Sequence, residues 1–176
     1  AKVLDDAREQ IGARVVEDLR RAIAVVAALG ARDVAARFEA LEAKADDAAA
    51  QIARQRGRPL PAGGTTSGGA AVLVGCSYLR DAPDVATDAL AATEVLLGGA
   101  AGRSVPAHPV AGCCGLPLLH AGDREGFERA ARRLAARVRS ASEFVVVDPG
   151  CARALLVEYP ALGVEMKTVP IGARGA

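Results

Sequence analysis

The chain has 176 residues, of which 51% are hydrophobic, 24% charged and 3% aromatic, with no Trp. That composition belongs to a globular chain and excludes bulk disorder; the length suits one ordinary domain with an appended helical piece. Its 22 basic and 21 acidic residues leave a net charge of +1, so recognition of nucleic acid through a strong overall positive field is disfavoured.

Residues 1–57 read as a helical hairpin. Ile11, Val15, Leu19, Ala22, Val26 and Leu29 recur at three- and four-residue intervals up to Gly30, the pattern of an amphipathic helix with a glycine stop. Asp33 is placed to cap a second helix, whose stripe is Val34, Phe38, Leu41, Ala45, Ala48 and Ile52, ending at Gly57. Each stripe is narrow and rich in Ala, so the pair is expected either to pack on itself or to dock on a partner subunit. Residues 58–70, with Pro, Gly, Thr and Ser and no periodicity, read as a linker.

Residues 71–176 change to alternating strands and helices. Strands are expected at Ala71–Val74, Ala107–Val110, Phe144–Val147 and Val164–Val169. Helices are expected at Pro83–Leu97, Asp123–Ser140 and Cys151–Tyr159. Such alternation implies α/β architecture, a small Rossmann-like parallel sheet with helices on both faces. No apolar run reaches the roughly 18 residues of a membrane span. No charged leader with an apolar segment and cleavage site opens the chain. The start at Ala1 instead of Met reads as a piece of something longer.

The four cysteines carry the chemistry. Cys76 follows the first strand of this region, Cys113 and Cys114 follow the second, and Cys151 follows the third. Loops after parallel strands open on one edge of the sheet, where α/β proteins place their ligands. The intervals agree with this: 36 residues lie between Cys76 and Cys113, and 36 between Cys114 and Cys151. Gly75, Gly112, Gly115 and Gly150 flank the cysteines and let backbone come close to an inorganic centre. Four converging soft thiolates suit an iron–sulfur or other metal site. An adjacent Cys-Cys pair is an awkward disulfide framework in a chain large enough to fold without one, which points to a reduced, cytoplasmic setting.

Cys113-Cys114-Gly115-Leu116-Pro117, followed by Ala121-Gly122-Asp123, resembles the cysteine-rich CCG domain. That domain occurs in heterodisulfide reductases, in iron–sulfur subunits of glycolate, lactate and glycerol-3-phosphate oxidoreductases, and in a related succinate dehydrogenase component. Its pattern is one Cys, then Cys-Cys-Gly, then a closing Cys-x-x-Cys. Cys76, Cys113 and Cys114 align with the first three. In Val147-Asp148-Pro149-Gly150-Cys151, with Leu155 and Tyr159-Pro160 beyond, Cys151 aligns with the last, and Asp148 stands where the earlier cysteine of the pair is usual. The resemblance covers roughly 71–170.

The resemblance implies an iron–sulfur electron-transfer subunit or domain of a multi-subunit oxidoreductase, with Cys76, Cys113, Cys114 and Cys151 holding the cluster. It implies flavin- or ferredoxin-type partner subunits or domains, no nucleic acid, and any membrane association peripheral and through a partner. Members commonly carry two such repeats, and this chain carries one. The five-cysteine form in heterodisulfide reductase holds a non-cubane cluster; four cysteines suffice for a [4Fe–4S] cube, and three with Asp148 for a cluster with one labile iron. Zinc accepts four thiolates, or three with His120, and a non-catalytic assembly module with a zinc-bound or vacant site is the alternative. No Cys-x-x-Cys is present to make a stand-alone thiol–disulfide enzyme.

Other residues read more plainly. Asp148 before Pro149 also fits a helix cap, as does Asp123. His108, between Ala107 and Pro109, reads as structural. Arginines 124, 129, 132, 133, 137 and 139 make one basic helix, a solvated face or a surface for an acidic partner. The glycines between 98 and 102 lack the Lys-Ser/Thr of a phosphate loop, and no Gly-x-Gly-x-x-Gly follows the first strand.

Overall fold

The computed structural model describes residues 33–58, 60, 69–98 and 105–166, together with Arg21 and Gly30. Residues 33–55 form helix α1. Then follow β1 (Ala70–Leu73), α2 (Cys76–Asp81), α3 (Pro83–Gly98), β2 (Ala107–Pro109), α4 (Leu116–His120), α5 (Arg124–Val138), β3 (Glu143–Val146) and α6 (Pro149–Arg153). A π-helical turn, Ala154–Glu158, continues α6 into the short α7, Tyr159–Ala161.

The strands lie in the order β2-β1-β3, and both pairings are parallel. Ala71 stands between His108 on one side and Phe144 on the other. The ladder runs one residue past two of the strands, where Val110 N–H donates to Val72 C=O and Val147 N–H to Leu73 C=O. This is the expected α/β arrangement.

Side-chain alternation along β1 divides the core into two layers. Ala71 and Leu73 face a cluster with Phe144, Phe127, Leu134, Cys113, Cys114 and Tyr159, built under α4, α5 and α6. Ala70, Val72 and Val74 face the opposite way, joining Val145 of β3 and Leu79, Leu90, Ala45, Ala49 and Ile52 from α1, α2 and α3. A buried strand must be apolar on both sides, and β1 is buried at every position. Each fully buried large side chain here contributes about 1.5–3 kcal/mol.

The first expected helix lies outside the described residues except for Arg21 and Gly30. Both are helical. The second matches α1, which reaches both layers of the core: Phe38 joins the layer under α4, α5 and α6, and Ala45, Ala49 and Ile52 join the other. Its buried stripe is Phe38, Ala45, Ala49, Ile52 and Ala53, whereas Leu41 is exposed. Two of the α5 arginines hold α1 in place: Arg133 pairs with Glu42 and Arg137 with Asp46. At the other end of α1, Glu94 accepts from Arg56, Arg58 and the Ala107 N–H, joining α1, α3 and β2. That is the edge of the sheet opposite the cysteines. Half-buried His108 lies there too, beside Gly69.

The fourth expected strand is not formed over its described part, residues 164–166. Gly163 turns to φ +66, and Val164 N–H donates to Tyr159 C=O. The amide that a strand would pair laterally closes the end of α7, a common helix terminus.

Candidate metal centre

Parallel strands bring three loops to the carboxyl edge of the sheet, and each delivers thiols. Cys76 is the first residue of α2, directly after Gly75. Cys113 and Cys114 lie between β2 and α4, whose N-cap is Gly115. Cys151 lies in the first turn of α6, where Asp148 accepts a 2.7 Å hydrogen bond from the Cys151 N–H. Asp123 does the same for α5, accepting from Gly126 N–H at 2.8 Å.

The four sulfurs form a chain of contacts. Cys76 Sγ is 3.2 Å from Cys113 Sγ, and Cys113 and Cys114, like Cys114 and Cys151, lie near enough for each thiol to bias its neighbour's protonation. All four are free thiols; Cys76 is half-buried and the other three are buried.

This packing favours the protonated state. The hydrogen bond with Cys113, then burial, push Cys76 far above the usual thiol range, with Arg80 one turn along α2 acting in the opposite direction. Cys113 is pushed up to about 12, chiefly by its hydrogen bond with Cys114, with burial adding to it and the Cys76 contact opposing it. For Cys114 the Cys113 hydrogen bond favours the thiolate, but the Cys151 contact and burial together outweigh it and the thiol is raised. Multiple thiolates in so confined a volume need a cation to hold them.

The donor set fits a soft metal or an iron–sulfur cluster, because it is all sulfur and largely shielded from water. Its arrangement is that of hydrogen-bonded thiols. Among the described residues no three donors from Cys, His, Asp and Glu surround a common metal position. Tetrahedral bonds of about 2.3 Å would place sulfurs about 3.8 Å apart, wider than the 3.2 Å of Cys76 and Cys113. A metal therefore requires the sulfurs to spread, and the half-buried Cys76 is the one with access to solvent.

Three supports fix the loops. Gly75 has φ +114, and a Cβ there would stand 2.9 Å from Asp148 Cβ; only glycine lets the Cys76 and Cys151 loops touch. Gly115 has φ +80, and its Cβ would meet that of Ala130 at 2.8 Å, seating the Cys-Cys loop on α5. Tyr159, fully buried, donates from its hydroxyl to Cys114 C=O at 2.8 Å and packs edge-on against Phe127 with ring centroids 5.7 Å apart. Burial, then the nearby sulfurs, raise the Tyr159 phenol above its ordinary range, so it remains a donor.

Sequence reading places Tyr159 in the closing motif without giving it a role, and misses Arg80 as part of this centre. A lone Tyr in a chain with two tyrosines is a faint signal; Arg80, at four residues from Cys76 on a helix, is readable from spacing alone. His120 ends α4 and is exposed, away from the Cys114 end of that helix. The Asp148 carboxylate is engaged as the α6 cap.

Residues 70–155 match the family model of the cysteine-rich domain, CCG, a span that runs from the first residue of β1 through Cys151 and includes all four thiols. This segment is a cysteine-rich domain of that family. Comparisons with curated proteins and with solved structures gave no match.

Proposed function

We propose, from the membership of residues 70–155 in the cysteine-rich domain family, that the chain binds an iron–sulfur cluster through Cys76, Cys113, Cys114 and Cys151. It would serve as an electron-transfer subunit or domain of a multi-subunit oxidoreductase of the heterodisulfide reductase kind. The observation that carries this reading is the convergence of four thiols from three loops into one contact chain at the carboxyl edge of a parallel sheet. A bound cluster supplies one-electron redox chemistry at that edge.

The chain's own residues would hold and insulate it. Cys113, Cys114 and Cys151 hold their sulfurs away from bulk water, and Cys76 sits at the accessible side. Tyr159 and Asp148 fix the loops that bear Cys114 and Cys151. A [4Fe–4S] cube matches the count of four sulfurs. Flavin- or ferredoxin-type partners are the proposed source and sink of electrons.

Anaerobic reconstitution with iron and sulfide tests this. Iron and acid-labile sulfide should bind with a visible charge-transfer band that Cys114→Ser abolishes. Equimolar zinc retained in preference to iron, or an unchanged band in Cys114→Ser, would overturn it.

A further inference from the structure

Two pairs in the sulfur chain join different loops, Cys76 with Cys113 and Cys114 with Cys151, and the first of them brings its Sγ atoms to 3.2 Å. The adjacent Cys113 and Cys114 are constrained by the peptide bond between them. A disulfide needs about 2.05 Å between sulfurs, so closing the first pair requires the two atoms to approach by only about 1.2 Å. Cys76 is also half-buried while Cys113, Cys114 and Cys151 are buried. The pair therefore has an accessible sulfur that a reagent can reach and a buried one waiting beside it.

We propose that in the metal-free chain Cys76 and Cys113 form a reversible intramolecular disulfide by exchange with a low-molecular-weight disulfide. Cys76, as the small fraction of thiolate that its packing allows at alkaline pH, attacks one sulfur of the reagent, breaking its S–S bond and releasing one small thiol. The resulting mixed disulfide is then attacked by the Cys113 thiolate, which forms the Cys76–Cys113 bond and releases the second small thiol. Two protein thiols are oxidised, the reagent disulfide is reduced to two thiols, and both protein protons leave on the products. The closed form withdraws two of the four sulfurs that the proposed function assigns to a cluster. Oxidation of the empty site thus has one defined product, reversible by a dithiol, instead of random crosslinking.

The test treats the metal-free full chain with oxidised glutathione at mildly alkaline pH, then alkylates it and maps the tryptic peptides. Arginines 80, 103, 124, 139 and 153 place Cys76, the Cys113-Cys114 pair and Cys151 on three separate peptides. The expected result is two alkylated thiols instead of four, with the Cys76 peptide linked to the Cys113-Cys114 peptide and all four thiols recovered after dithiothreitol. Cys114→Ser should keep the link and Cys113→Ser should lose it. Fragmentation of the linked wild-type peptide between positions 113 and 114 reads the same partner without any substitution. Four alkylated thiols, a link through Cys114 or Cys151, or a glutathione adduct that stays on Cys76 would each overturn the proposal. The readout is sulfur connectivity alone, so it stands or falls separately from iron uptake.

Discussion

The Tyr159 hydroxyl donates to the Cys114 carbonyl at 2.8 Å across 45 residues of sequence, tying the last helical segment to the Cys-Cys loop. Both groups are buried, so neither can turn to water if the other is lost. Tyr159→Phe keeps the ring packing on Phe127 and leaves the carbonyl without its partner. The expected cost is about 1–3 kcal/mol by urea denaturation, with faster alkylation of Cys114 in the metal-free chain. An unchanged alkylation rate would mean that the loop is held by other contacts.

Gly75 and Gly122 separate backbone strain from crowding. Both have positive φ, but a Cβ at Gly122 meets nothing within 4 Å, whereas one at Gly75 stands 2.9 Å from Asp148 Cβ. Gly122→Ala should cost about 1–2 kcal/mol, the conformational term alone. Gly75→Ala should cost more than that and also reduce iron retention, because it pushes the Cys76 and Cys151 loops apart. Equal losses of stability in the two variants would contradict the close contact.

Much of this centre is legible in the sequence, for physical reasons that also mark where reading stops. Strand–helix alternation predicts a parallel sheet, and a parallel sheet places Cys76, Cys113, Cys114 and Cys151 on one edge. Asp123 and Asp148 announce helix starts through capping chemistry, and both are caps. The fate of Val164 is not readable, because its apolar neighbourhood suits a strand equally well until Gly163 adopts φ +66. Leu41 fits a helical stripe by spacing but is exposed, since the face of α1 that is buried depends on where the sheet lies. Tyr159 is visible in the closing motif, but its role is not, because its partner is a backbone atom, which leaves no trace in residue identity.

The Asp148 carboxylate caps α6 through the Cys151 N–H at 2.7 Å. Asp148→Ala should therefore lower stability by about 1 kcal/mol, and Asp148→Asn should restore most of it, since both residues cap well. Iron bound per chain should be the same in all three proteins at saturation. Loss of iron in Asp148→Asn with stability retained would instead identify the carboxylate as a ligand.

The raised thiols give two opposite pH dependences. Cys76, Cys113 and Cys114 all hold their protons more tightly in the folded chain than in an unfolded one, where a thiol titrates near about 8.5. Their contribution to metal-free stability is complete below that value. It is lost as pH rises toward the folded range, about 12 for Cys113. Metal binding must displace the same protons, so zinc affinity, taken as a simple probe, should strengthen by at least about three decades per pH unit through neutrality, one for each of these thiols. Urea melts of the metal-free chain above pH ~9 and chelator competition between pH ~6 and ~8 measure the two trends. A pH-independent affinity would show that the thiols are already ionised.

The π-helical turn Ala154–Glu158 lies between Cys151 and Tyr159. Each residue added to or removed from a helix rotates everything beyond it by about 100°. Deleting one residue here would swing the Tyr159 ring away from Cys114 while changing no side chain in the centre. The interval between Cys151 and Tyr159 is thus a gauge length, whose residue count sets where the Tyr159 ring falls.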